Sequence, residues 1–248
     1  MKRILFFGYG LFAYATFLAA FLYLIGFMGN LVVPKSIDSG VEGSLGGALA
    51  VNFALILVFG LQHVVMARPG FKEWWTQFVP EPIERSTYVL ITNVIFFILF
   101  WQWRPITTVV WDASGGVLEP VLWALFAFAW GLILITSFLI NHFDLFGLRQ
   151  VYLYFKGVSY TQLKFNTVGI YKYIRHPLMV GWILGFWSTP VMTVGHLFFA
   201  VTMTIYILTT IPLEEKDLLH FLGEDYENYR RRTPRYIPFL GNINKDSK

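Results

Sequence analysis

The chain has 248 residues, 56% of them hydrophobic and 19% aromatic but only 14% charged, with a net charge of +4. Soluble domains average about half apolar and a quarter charged, so this composition, with a mean hydropathy of +0.57, excludes an ordinary soluble domain and predicts an integral membrane protein. The lack of cysteine excludes disulfides, thiolate metal sites and a cysteine nucleophile.

The first apolar run, 6–28, follows Lys2-Arg3. It is longer than the hydrophobic region of a signal peptide and has no clear small-residue cleavage site, which predicts a retained first span. Three further runs, 46–66, 86–103 and 120–141, are each close to the ~20 residues that cross a hydrocarbon core as a helix. The last apolar stretch, 178–211, is too long for one span, and Ser188-Thr-Pro-Val-Met-Thr-Val-Gly195 interrupts it. Proline lacks an N–H and restricts the residue before it, so two tightly connected helices are predicted, 179–189 and 195–211. The fold class expected is an all-α membrane bundle of about six passes, forming one membrane-embedded domain over 1–248. Its four-helix part covers 1–141, and its loop, hairpin and tail cover 142–248.

Lysine and arginine set the orientation. With these spans, 17 of the 19 basic residues fall on one side and only Lys35 and Arg104 on the other. The split predicts cytoplasmic N and C termini and an even number of passes. The basic excess is then topological, and Arg230-Arg231-Arg232 faces phospholipid headgroups; no aromatic-basic platform for nucleic acid is visible.

The polar residues gather in the loop 142–177 and in the tail after 211. Gly169-Ile-Tyr171-Lys-Tyr173-Ile-Arg175-His176-Pro177 ends in a proline suited to the first turn of a helix, whose free N–H groups and dipole favour an anion beside Arg175 and His176. At the far end of the hairpin stand Glu214 and Glu215, unfavourable near a helix C-terminus unless paired or solvated. Neighbouring positions point about 100° apart, so one carboxylate can face the bundle while the other pairs in the loop. Together the two segments predict a joint site for a polar ligand. Gly181 and Gly185 form a Gly-x-x-x-Gly seam suited to close helix packing.

These residues resemble a known family. Gly169, Tyr171, Arg175-His176-Pro177 and Gly181, followed by Glu214-Glu215 and Phe221-Leu-Gly223-x-x-Tyr226-x-x-Tyr229, are similar to the C-terminal signature of isoprenylcysteine carboxyl methyltransferase-like membrane methyltransferases. The resemblance implies that Tyr171, Tyr173, Arg175, His176 and Pro177 line a site for S-adenosylmethionine, with Gly181 near it and Glu214 and Glu215 completing it. Met179 stands where that family often has a tyrosine, which argues against a prenylated-protein substrate. The stretches 62–69, 79–88, 101–105, 141–150 and 189–196 extend the likeness to bacterial membrane methanethiol S-methyltransferases. That resemblance implies methylation of methanethiol to dimethyl sulfide, with S-adenosylhomocysteine as the other product, in a bacterial inner membrane with the site facing the cytoplasm.

An alkyl thiol reacts as the thiolate. The expected catalytic groups are His63, His142 and Asp144, an imidazole held by a carboxylate being a reasonable base, and the expected substrate-side groups are Asn141, Arg149, Glu84 and Arg85. A structural Asp144–Arg149 pair is the competing reading of the same residues. His196 is expected at the opposite membrane face and His220 in the tail, both structural. No metal is expected, because no two histidines share the spacing of a metal-binding helix face. The expected partners are a small volatile thiol and membrane lipids. Two other readings stay open: a related methyltransferase acting on another thiol, a lipid or a prenylcysteine carboxylate, and a non-enzymatic transporter or quinone-binding subunit.

Overall fold

A computed structural model describes residues 1–163 and 165–238, so Lys164, Lys245 and Lys248 of the charge count lie outside the described residues. Five of its helices are long and apolar enough to cross a membrane: α1 (Lys2–Gly29), α2 (Leu45–Ala67), α4 (Glu81–Gln102), α5 (Leu118–Ile140) and α9 (Val194–Leu222). Between them lie the short α3 (Pro69–Trp75), α6 (His142–Leu145), α7 (Leu148–Lys156) and α8 (Pro177–Trp187), and α10 (Glu224–Arg232) follows α9. Start signals are local. Ser44 accepts a hydrogen bond from Gly47 N, Thr193 accepts one from His196 N, and Pro69 and Pro177 open α3 and α8, where a missing N–H costs nothing.

The structure revises the expected hairpin in two ways. Helix α8 has eleven residues, a rise of about 16 Å, roughly half a hydrocarbon core. It packs most extensively against α5, with less contact to α9. Helix α9 does not stop at 211; it carries Pro212 in its interior and runs on to Leu222, so Glu214 and Glu215 are helical. The interruption at 188–193 does separate the two helices, and part of it becomes a strand. β2 (Val191–Thr193) pairs antiparallel with β1 (Val109–Asp112), tying two loops of the same end together.

Buried aromatics fill the bundle, among them Phe27, Trp103, Phe186 and Phe199. A few buried amides fix the register between helices. Asn52 of α2 both donates to Arg104 O and accepts from Arg104 N, at 2.7 and 2.8 Å, and Asn93 of α4 donates to Ala13 O and Thr16 Oγ1 of α1. In an apolar surrounding such bonds hold helices that hydrophobic matching alone leaves free to slide. The strand ribbon, Lys35 and Arg104 mark one end of the bundle. The other end collects the N-terminus of α1, the C-terminus of α2, the start of α4, the end of α5, the start of α8 and the end of α9.

Candidate active site

At this second end, the start of α8 and the C-terminal part of α9 meet around one carboxylate. Arg175 donates through Nε and Nη2 to Glu215 Oε1 at 3.0 and 2.8 Å. The His176 Nε2 lies 3.0 Å from the same oxygen, and Arg235 donates through Nη2 to Oε2 at 2.5 Å and through Nε to Oε1 at 3.2 Å. Arg175 Nη1 is given to Arg230 O and Thr233 O. The backbone joins in, with Arg175 N donating to Pro234 O and His176 N to Arg235 O. The anion expected beside Arg175 and His176 is therefore the protein's own Glu215, and its side chain and that of Arg175 are 4% and 7% exposed. This is a clasp that locks the tail onto the loop. Burial lowers the His176 pKa, while its bond to Glu215 opposes the shift.

Glu214 is different. Its side chain is 44% exposed, and its Oε2 lies 3.9 Å from His176 Nδ1. A carboxylate only accepts hydrogen bonds, so the bond to Glu215 assigns the proton of a neutral His176 to Nε2 and leaves Nδ1 as a lone pair facing Glu214. Burial and then the charge of Glu214 raise the phenol pKa of Tyr171, in a 3-10 turn over Gly169–Lys172, and burial followed by the charge of Glu215, with Glu214 behind it, raises that of Tyr226 in α10. Tyr229 donates its hydroxyl to Tyr171 O at 2.6 Å, and burial pushes its pKa up to about 12.

The remaining cofactor residues lie around this centre. Pro177 is buried at the first position of α8, and Tyr173 is 58% exposed on the outside of the turn. Gly181 faces α5, where a Cβ would come within 2.8 Å of Ile133 Cγ1 and 3.2 Å of Ala129 O. Gly181 thus lies in the close helix seam expected of the Gly181–Gly185 pair.

On the neighbouring side a cleft of about 750 Å³ opens between the starts of α3 and α4 and the loop after α5. It brings together Glu84, Arg85, Asn141 and Asp144, with Lys72, Gln150 and Tyr160. Burial, with the charge of Arg85, lowers the Lys72 pKa. Arg85 donates Nε to Leu145 O at 2.8 Å and lies 4.8 Å over the Tyr88 ring. Asn141 has φ 146, in a region that favours glycine, and caps α6 by accepting from Asp144 N. Arg149 binds Asp144 Oδ1 at 2.9 Å and Thr161 O at 2.9 Å. Ile140 and Asn141 line the cleft, while Leu139 of the same helix end meets Gly169, so cleft and clasp flank the end of α5.

The expected His142–Asp144 dyad does not form. His142 is 2% exposed, its Nε2 is 2.9 Å from Tyr14 Oη and its Nδ1 2.8 Å from Ser137 Oγ, and its ring stacks on Phe138 at 4.1 Å. Both nitrogens are occupied, burial lowers its pKa, and Asp144 is held by Arg149 and Tyr160 instead. His63 lies behind the cleft, its ring against Phe59 and Tyr88 and its buried Nδ1 without a hydrogen-bond partner. His196, at the ribbon end, is fully buried with Nε2 on Phe186 O. Among the described residues no group of three or more histidines and carboxylates is placed to hold a metal.

A family profile described as "Protein of unknown function (DUF1295)" matches residues 75–233. The chain is 54% identical to the methanethiol S-methyltransferase of Crocosphaera subtropica over 94% of its own length and 91% of that protein's. It is 49% identical to the methanethiol S-methyltransferase of Mycobacterium tuberculosis over 96% of its length and 98% of the relative's. It belongs to the methanethiol S-methyltransferase family. A third member, methanethiol S-methyltransferase 2 of Bradyrhizobium diazoefficiens, is 48% identical over 94% of this chain and 89% of the relative. No solved structure matches the chain. Likeness to this family therefore spans both cleft and clasp. The profile match takes in Glu84, Arg85, Asn141 and Asp144 of the cleft and Arg175, His176 and Glu215 of the clasp, and stops short of Arg235. The sequence reading missed Arg235, whose signal was its place between Pro234 and Tyr236 after a helix that opens on acidic residues and closes on three arginines.

Proposed function

We propose that the chain transfers the methyl group of S-adenosylmethionine to the sulfur of methanethiol, giving dimethyl sulfide and S-adenosylhomocysteine. The observation that carries this is the 54% identity, over 94% of the chain, to a protein bearing that activity in its name. The geometry fits the cofactor's chemistry. A cleft of about 750 Å³ is in the range that suits a ligand of nucleoside size, and charges of both signs border it, as a zwitterionic amino-acid moiety requires. S-adenosylmethionine, when bound, supplies an electrophilic methyl group on a positively charged sulfur.

The chain's own residues do the rest. Lys72 and Arg85 line the cleft together with Glu81, Glu84 and Asp144, so its net charge does not favour a thiolate, and direct approach of the sulfur to one of the two cations is what favours thiolate over thiol. That electrostatic role replaces the dedicated base expected of His142 and Asp144, whose polar atoms are spent on their neighbours. Ile140, Leu145, Val158 and Leu163 give the same cleft an apolar lining for a small alkyl thiol. The clasp fixes the loop and tail that border the cofactor side. The basic end of the bundle faces the cytoplasm, and the membrane is the bacterial inner membrane.

Purified protein in detergent, given S-adenosylmethionine and methanethiol, should release dimethyl sulfide into the headspace. A folded preparation that forms none, and binds no S-adenosylhomocysteine in calorimetry, removes this reading.

A further inference from the structure

The outer corner between α1 and α7 carries positive charge that nothing in the chain answers. Helix α7 runs back along the start of α1. Val151 fills the space beside Gly10, where a Cβ would collide with it, the Phe7 ring stacks on Phe155 at 5.1 Å, and Phe6 lies 5.4 Å from Tyr154. The pairing ends with Gly157 against Arg3. A Cβ at Gly157 would come within 2.8 Å of Arg3 Nη1, and the φ of 74 suits glycine. Lys2, Arg3 and Lys156 are thereby gathered at one place, all three exposed.

Each of the three sits over a ring. Lys2 Nζ is 5.4 Å from the Phe6 centroid, Arg3 Cζ 6.0 Å from that of Tyr154 and Lys156 Nζ 5.8 Å from that of Tyr152. A ring face attracts a cation without cancelling its charge. Among the described residues none of the three pairs with a carboxylate or gives a hydrogen bond. The backbone adds to the excess: the first turn of α1 has no acid and no side-chain cap, so its free N–H groups contribute positive potential beside Lys2 and Arg3. The last carbonyls of α7 return only about half an elementary charge, against three whole cations.

The surroundings select the anion. Ile4, Leu5 and Phe12 of α1 and Tyr152 and Phe155 of α7 are exposed large side chains, so an apolar face leads away from the cations along the span. A phosphate attached to acyl chains matches both parts. Free phosphate matches only the first, and a zwitterionic headgroup brings a cation of its own.

We propose that Lys2, Arg3 and Lys156 form a binding site for the headgroup of one anionic phospholipid, its chains lying along α1. Tyr154, beneath Arg3, also lines the cleft, so the bound lipid rests on the outside of the cleft wall. The site is independent of the methyl-transfer reading and is tested without donor or thiol.

The test is native mass spectrometry of the full chain in neutral detergent, titrated with phosphatidylglycerol or with phosphatidylcholine of the same acyl chains. Wild type should bind phosphatidylglycerol the more tightly, and excess inorganic phosphate should not displace it. Arg3→Gln with Lys156→Gln should weaken that binding about thirtyfold, at about fivefold per cation. Lys172→Gln with Lys216→Gln removes two exposed cations from other elements of the same end and should bind as wild type does, as should Arg3→Lys with Lys156→Arg, which keeps both charges. Equal losses in the two glutamine pairs would mean a diffuse positive surface and overturn the site. A loss in the charge-keeping pair as large as in Arg3→Gln with Lys156→Gln would make the residues packing groups and overturn it too. Phosphatidylcholine bound as tightly as phosphatidylglycerol, or lipid displaced by inorganic phosphate, overturns the choice of an anionic phospholipid.

Discussion

Replacing Glu215 by alanine tests whether the clasp is the structural element argued above. The side chains of Glu215 and Arg175 are 4% and 7% exposed, so the substitution leaves a guanidinium buried without its counter-charge. Breaking such a pair from one side costs about 3–5 kcal/mol. The Arg235 arm is 39% exposed, and solvent screening holds its share to under about 1 kcal/mol. For a chain of this size each kcal/mol lowers the midpoint by roughly 2–4 °C, so Glu215→Ala should melt roughly 10 °C below wild type. The change should also be local: Thr233 and Pro234 lose the contacts that hold the tail, and trypsin should cut at Arg235 faster. Glu214→Ala, one residue away and half exposed, should leave both readings near wild type. Thermal denaturation in detergent with a trypsin time course measures all of this. A Glu215→Ala variant with wild-type midpoint and wild-type trypsin resistance would falsify the clasp.

Three other outcomes follow from the geometry. Because burial depresses the His176 pKa, the unfolded chain takes up more protons than the folded one below about pH 6.5; stability should fall as pH drops through that value, and His176→Gln should flatten the slope in midpoint-against-pH curves. His142→Ala removes two hydrogen bonds and a stacked ring and should cost about 2–4 kcal/mol, yet the folded fraction should retain turnover of dimethyl sulfide; complete loss of turnover in folded protein would restore His142 as a base. Gly181→Ala drives a Cβ into Ile133 and should lower stability by about 1–3 kcal/mol, whereas Gly185→Ala, meeting Trp130 at 3.4 Å, should be near neutral; equal midpoints for the two variants count against the α5–α8 seam.

Hydropathy made the long helices legible, because a lipid core leaves few alternatives to an apolar helix. It did not show where α9 ends. Pro212 reads as a stop in sequence, but it sits where the helix leaves the apolar core, and the missing N–H and displaced carbonyl can be met by polar surroundings. The His142–Asp144 dyad was a misreading that helix geometry could have prevented: residues two apart on one turn point roughly 200° apart, so a ring buried against Phe138 leaves the carboxylate on the outer side, where Arg149 meets it. The pairing of Asp144 with Arg149 was visible as the competing reading for the same reason. Arg175, His176 and Glu215 were correctly placed together by the hairpin argument, although the partner that completes them, Arg235, lies 20 residues past Glu215 and needs the tail's return path, which no local pattern records.

The division of labour between adjacent glutamates reaches further than their burial. Glu215 accepts from His176 Nε2, so the neutral ring presents a lone pair at Nδ1 toward Glu214. Glu215→Gln keeps the volume, and its amide is held with the oxygen at the Oε1 position, where two Arg175 N–H groups and His176 Nε2 all donate. Its NH2 group then faces Arg235, and that guanidinium loses its Oε2 acceptor. Glu215→Gln should therefore leave the His176 proton on Nε2 in nitrogen NMR of labelled histidine, while trypsin cuts faster at Arg235. A proton that moves to Nδ1, with Arg235 as protected as in wild type, would show that Arg235 and not Arg175 orients the group at 215.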